Sequence, residues 1–565
     1  MFQVGKEETQ KEFFYYKSTG KSEAKTMICK GHLSICLVIL MITLVFSANV
    51  IAIGTMLEKD LAYAKDYLNY IESANLISNY QEAKKDLDMA VTLAGRIKQE
   101  GENNLRLARI KLEEFWQKAS LKPPAATRLA YLDADEITRK ALAKDLKSML
   151  REIAELGFNG VIVETFRADG YVIFPSSRVE QYKLLQGSDP LKEISRYGKE
   201  LGLDLFLVMN VGLATSNGEM APTLAKNPDW AAISQAGNLF DTSMNSYFNI
   251  SHPEVRKFYM DIADELSEYN LSGLLLKIML PFTEVSANDF SYDAYSRKLF
   301  EEQYGYDPIK EKNKPRVDWN EWRVEQINSL LGLINRRIGS AKTSTKLGAM
   351  VMLDEDLSLE DQRDRKFLDW KSWIERNYIE YLLPTFSTRS QFNLLTEELT
   401  SIPNKVFIYP TLIVNEEISL CDLLCTVNEM QSAGAVVLGS LEELGYDQLD
   451  MLRRGPLRSK SLPLHRDPWQ ALLANCSLLE AQSPKTWVND IKLLNDSLSK
   501  LLMAPQGIIY IDALANVKSL LNQLEAKAQV QDTLFARRME KEIMMTRRLL
   551  EMGTLRRTPQ GKKLY

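Results

Sequence analysis

The sequence predicts a (β/α)8 barrel of the TIM type, flanked by helical segments on both sides and preceded by one transmembrane helix. Three observations carry that prediction. Between Pro123-Pro124 and Leu462-Pro463, short apolar and β-branched runs alternate with amphipathic helical patterns, as a parallel sheet with helical crossovers requires. The runs fall at Leu129–Leu132, Gly160–Val163, Asp204–Met209, Gly273–Leu276, Leu347–Met352, Ile379–Leu383, Val406–Ile408 and Ala435–Leu438. Eight of them close into a barrel more readily than they lie in an open sheet. Glu155 to Ser177 shows the repeating unit most clearly: Gly157 stops a helix, Gly160-Val-Ile-Val163 suits a strand buried on both faces, and Glu164 follows at the strand's carboxyl end. In such barrels that end carries the active-site loops.

The remaining segments follow in order. Residues 1–32 are polar and carry Lys17, Lys21, Lys25 and Lys30. The uncharged run LSICLVILMITLVFSANVIAI, within 33–54, is long enough to span a bilayer. Lysines on its amino side place the amino terminus in the cytoplasm and the bulk of the chain outside, as a single-pass protein; a signal peptide cleaved near Ala52 is the alternative. Residues 55–122 read as a helical stalk or bundle, with Leu61, Ala64, Leu68 and Ile71 in helical period. The barrel occupies 123–462, with one helix expected over Thr138–Leu156 and a large insertion, Val211 to Ser251, expected over the mouth. Helical period returns over 463–553, and 554–565 is a basic tail. The helical segments on either side of the barrel are candidates for self-association.

Composition narrows the function. A formal net charge of −5 argues against nucleic acid as a partner, because such binders show a basic domain or stripe. The 3 histidines, His32, His252 and His465, are scattered, which disfavours histidine zinc sites and Ser-His-Asp triads. No cofactor and no metal are expected. Cys421 and Cys425 stand at helical spacing and read as a buried helix face.

The strand ends deliver carboxylates instead. Asp133 and Asp135 follow the first strand, Glu164, Arg167 and Asp169 the second, Asn210 the third, Lys277 the fourth and Asp354, Glu355 and Asp356 the fifth. Tyr409 follows the seventh, Glu442 and Glu443 the eighth, and Trp230 lies in the insertion. A mouth rich in acids suits glycoside hydrolysis, in which a protonated carboxyl and an ionised partner flank the bond. Glu164 and Asp354 are the candidate catalytic pair; Arg167, Asp169, Asn210, Lys277, Tyr409 and Trp230 are candidates for sugar contact. Asp133, Asp135 and Asp354 equally suit helix caps. Lys277 needs a partner among these acids, Glu164 or Asp354, because a bare ammonium is costly in a closed mouth.

The segments GFNGVIVETFRADGYVIFPSS, DPLKEISRYGKELGLDLFLVMNVG, NPDW, FNISHPEVRKFYMDIADELSEYNLSGLLLK, DWKSWIERNYIEYLLPTF and AGAVVLGSLEEL, in that order, resemble the bacterial glycosyl hydrolase-like 10 family from about Thr127 to Arg458. The resemblance implies a (β/α)8 barrel in the cell envelope that acts on or binds polysaccharide, such as the glycan strands of peptidoglycan. Where that family has an Asp before glycine and two more after the fourth strand, this chain has Ser272-Gly273 and Lys277-Ile278-Met279. Two readings follow: a membrane-anchored glycoside hydrolase, or an inactive barrel that serves as a glycan-binding or scaffolding protein.

Overall fold

The computed structural model describes residues 57–557 apart from 73–75, 78, 98–101, 282–288, 311–315, 341–344, 353–362, 364–365, 399–401, 416–417 and 532. The segment expected to cross the membrane, and Asp354 with its two acidic neighbours, therefore lie outside the described residues. Among the described residues no helix is long and apolar enough to cross a membrane.

Eight parallel strands close on themselves. They are β1 (Thr127–Leu132), β2 (Gly160–Glu164), β3 (Asp204–Thr215), β4 (Gly273–Met279), β5 (Lys346–Met352), β6 (Tyr381–Phe386), β7 in two segments (Phe407–Ile408 and Thr411–Ile413) and β8 (Ala435–Gly439). Each pairs with the next, and β8 returns to β1 through Thr127 opposite Ala435. Closure removes both sheet edges, so every strand is flanked on two sides and its residues are almost all buried.

Side chains alternate across each strand. Leu129, Ile162, Phe206, Val208, Leu275 and Leu383 point inward and fill the barrel, while Leu132, Val161, Val163, Leu205 and Leu207 face the surrounding helices. Burying each such aliphatic side chain is worth about 1.5 to 3 kcal/mol. Gly157 has φ of 100°, and a Cβ there would stand 2.2 Å from the Leu457 carbonyl oxygen. Glycine is thus needed both for the turn into β2 and for the close pass of the chain that leaves the barrel.

The observed elements differ from the expected ones in several places: β3 runs to Thr215 rather than Met209 and β4 to Met279 rather than Leu276. Two helices, Ala134–Leu142 and Leu146–Glu155, replace the single one over Thr138–Leu156, because Lys144 takes a left-handed φ of 57° between them. The sixth strand begins at Tyr381 rather than Ile379. The seventh extends beyond Tyr409, with Pro410 interrupting it, since proline has no N–H for the ladder.

Helices cover the barrel on both chain flanks. Tyr80–Gly95 packs against Glu102–Ala119, and this pair is tied to the barrel layer where Leu121 N donates to Asn428 Oδ1 at 2.8 Å. After the barrel, Pro468–Gln482, Val488–Met503, Ile508–Val530 and Leu534–Arg557 pack in sequence and the last returns to the first, giving a four-helix bundle. The final helix thus takes in 554–557, the start of the basic stretch. Cys421 and Cys425 are buried on the helix Leu420–Ser432, and burial pushes both thiols up, Cys425 to about 12.

Candidate functional site

The inward alternation of the strands runs past the apolar layers into the mouth. Ile162 is followed inward by Glu164, Val208 by Asn210, Leu275 by Lys277 and Leu129 by Tyr131. Parallel pairing sets Glu164 beside Val208 and Asn210 beside Lys277, and the tilt of the strands in the closed barrel brings Glu164 and Lys277 together at the mouth. Lys277 pairs with Glu164 Oε1, and the Tyr131 hydroxyl donates to the same oxygen. The ammonium also lies 3.4 Å from the Tyr131 oxygen and 5.9 Å from its ring centre. The expected partner for Lys277 is therefore present, and it is Glu164. Both side chains are largely buried, 19% and 12% exposed, so the pair is drawn from water but not sealed from it. Burial, then the nearby Glu164 charge and hydrogen bond, pushes the Tyr131 phenol well above its ordinary range.

Around this centre the rim is also tied down. Arg167 pairs with Asp135, reaches Asp169 at 3.1 Å and stacks 3.9 Å from the Tyr182 ring centre. Asp133 Oδ1 accepts from the backbone N–H of Asp135 at 2.8 Å and of Glu136 at 2.7 Å, and so starts the helix Ala134–Leu142. The mouth holds a cavity of about 180 Å³ lined by Asp133, Asp135, Glu164, Phe166, Arg167, Asn210 and Lys277, with Thr215 and Ser216 from the insertion. Asn210 Oδ1 is buried and has no hydrogen-bond partner among the described residues, which leaves an acceptor for a ligand hydroxyl.

Two expected contact residues lie elsewhere. Tyr409 is fully buried at the other end of the barrel interior, with its hydroxyl 3.0 Å from His465 Nδ1, because β7 continues beyond it. Trp230 packs 5.7 Å from Phe258 on the outer side of the insertion and does not line the cavity. Conversely, reading only the strand ends missed Tyr131. The signal was available: it is the next inward position after Leu129.

Glu136 was also missed. It is 5% exposed, and burial, with Glu442 and Asp133 nearby, pushes its carboxyl up to about 7. Glu136 Oε2 has no hydrogen-bond partner among the described residues, yet the residue does not line the mouth cavity. A buried acid in a helix's first turn looks in sequence like any other residue favoured there.

A larger cavity, about 500 Å³, opens at the opposite end, by the starts of β3 and β6. Its carboxylate Asp204 is already held by His465 Nε2 at 3.0 Å and by Arg466 Nε at 2.9 Å. Size alone would select this end. The carboxyl ends of the strands, with the inward Glu164, remain the better candidate because loops there, unlike those at the base, vary without disturbing the core.

Comparison with known families bears on the barrel directly. Residues 129–405 match the model of the glycosyl hydrolase-like 10 family. The match takes in most of the barrel. Among solved structures, the chain is similar to the PgaB (BpsB) glycoside hydrolase domain from Bordetella bronchiseptica, at 12% identity and a TM-score of 0.44, over 60% of this chain and 100% of that one. It is also similar to the catalytic domain of a β-amylase from Paenibacillus polymyxa, at 11% identity and a TM-score of 0.41 over 57% and 95% of the two chains. A third is α-L-fucosidase isoenzyme 2 from Paenibacillus thiaminolyticus, at 12% identity and a TM-score of 0.40 over 59% and 49%. At these values the likenesses say nothing about the reaction. Comparison with curated proteins gave no match.

Proposed function

We propose that the barrel binds polysaccharide at its mouth without hydrolysing it, held at a membrane by the apolar run 33–53. One observation carries the reading: Glu164, the inward carboxylate, is closed by Lys277 and Tyr131, and the other lining acids are engaged by Arg167 or by a helix start. Hydrolysis needs a second carboxyl that holds a proton toward the same bond. None of the described lining residues is arranged to do so. Asn210 with its free acceptor, Arg167 and Phe166 supply the mixed polar and aromatic lining that sugar recognition uses. An envelope glycan such as a peptidoglycan strand suits an uncharged run preceded by lysines, which would put the barrel outside the cytoplasm.

The hydrolase reading keeps one specific support. Glu136, raised to about 7, has the protonation a general acid needs, and it stands at the edge of the same end of the barrel. Both readings meet in one experiment on the full chain in detergent, with immobilised peptidoglycan and other envelope polysaccharides. Retention on one of them, lost in Asn210→Ala and Arg167→Ala with no new reducing ends, is the expected result. Reducing ends that appear with the native chain and vanish in Glu164→Gln would establish the hydrolase instead. Fractionation with membranes until detergent is added tests the anchor, and a soluble chain beginning near Ile53 would refute it.

A further inference from the structure

A third cavity lies where the barrel meets both helical flanks. It has a volume of about 200 Å³, and its walls come from the helices Arg389–Glu398, Leu420–Ser432 and Leu534–Arg557, with Tyr70 and the β7 residues Ile408 and Pro410. Lys541, Met544, Met545 and Arg548 line it from the last helix, at the spacing of a single helix face. Phe392, Ile408 and Pro410 oppose them.

Arg548 is the unusual member. It is 5% exposed, and its Nε and Nη2 atoms are buried without a hydrogen-bond partner among the described residues. Another buried arginine, Arg128, also has its Nε without a partner among the described residues, but both of its terminal nitrogens are engaged, by the Ser459 carbonyl at 2.5 Å and by Gln431 Oε1 at 2.7 Å. Burial lowers the Arg548 guanidinium to about 10, as it does that of Arg128, and no carboxylate among the described residues offsets it. Glu429, which also lines the cavity, is taken by Arg389 at 2.7 Å. The carboxyl end of Leu420–Ser432 is nearby through Ser432 and Ala433, but a helix end supplies only about half a charge. A buried, fork-shaped cation facing an open cavity is short of one planar anion.

We infer that this cavity is a binding site for a small organic carboxylate, with the anion held by Arg548 and Lys541 and the apolar body resting on Phe392, Ile408, Pro410 and Met545. A cavity of about 150 Å³ holds benzene, so this one accepts a ring or short alkyl chain beside the carboxylate. Because its walls come from the barrel and from both helical flanks, an occupant joins all three.

The test uses the full chain in detergent, with benzoate and hexanoate as probes and inorganic phosphate at matched ionic strength as the comparison. Both carboxylates should raise the melting temperature saturably, and phosphate should not. Arg548→Met should remove that response, weakening binding by at least about tenfold. Without ligand it should melt no lower than the native chain, because the methionine relieves an unpaired buried charge. Lys541→Gln, an exposed change that leaves the fold alone, should weaken binding by about twofold to fivefold. Four results would overturn the proposal: no shift with either carboxylate, an unchanged shift in Arg548→Met, phosphate matching benzoate, or Arg548→Met melting lower without ligand.

Discussion

The two ends of the barrel interior each hold one carboxylate, and they hold it by different routes. At the mouth, Glu164 is neutralised from within the sheet: Lys277 is two strands away, and Tyr131 comes from the neighbour on the other side. At the base, Asp204 is neutralised from outside, by His465 and Arg466 of the connection that leads to the C-terminal bundle. His465 also sits among Phe206, Tyr381 and Tyr409, with centroid separations of 5.2, 6.0 and 6.1 Å, so the linker plugs the base with an aromatic layer. The difference separates two uses of one chemistry. The base pairing fastens the bundle to the barrel, whereas the mouth pairing fastens nothing beyond itself.

The largest expected effect breaks the mouth. Lys277→Ala leaves Glu164 uncompensated and should cost about 3 to 5 kcal/mol in chemical denaturation. Adding Glu164→Gln should recover much of that loss, because the buried charge is gone. A neutral Lys277→Ala would mean that water, not the lysine, compensates Glu164.

His465→Ala should cost about 2 to 4 kcal/mol, from the lost ring packing and from the exposed needs of Asp204 and Tyr409. The base also has its own acid limb. His465 and Arg466 outweigh burial and hold Asp204 below its ordinary value of 3.8. Its stabilisation is therefore complete above that value and is lost as the pH falls through the lower folded value. Melting temperature against pH should show this limb in the native chain and a shallower one in Asp204→Asn.

Glu136 gives the opposite sign. Its carboxyl is raised from 4.5 to about 7, so the folded chain binds the proton more tightly and stability falls as pH rises between those values. Glu136→Gln should flatten that descent and leave the protein more stable at pH 8 by about 2 kcal/mol. Arg139→Ala sharpens the comparison from below. Its pair with Glu442 at 2.6 Å is 58% and 42% exposed, and its removal should change stability by less than about 0.5 kcal/mol.

The sequence by itself determined the barrel and the level of its mouth. Period-two alternation and strand length are local properties, so Glu164, Asn210 and Lys277 could be placed at strand ends, and the need of Lys277 for an acid followed from burial alone. It also marked Ser272 and Lys277 as departures from the pattern that the resemblance implies. Only the tertiary structure decided the partners. Glu164 rather than another acid meets Lys277 because the closed register brings β2 and β4 to the same level, and no local pattern encodes that shear. Tyr409 belongs to the base because β7 resumes after Pro410, although a short apolar run ending in tyrosine reads equally well as a strand's end. Asp204 finds His465 across most of the barrel sequence, and Arg548 faces a cavity that exists only where three separate segments fail to fill the space between them. Such pairings depend on how finished elements dock, and docking is set by contacts between residues that the chain keeps far apart.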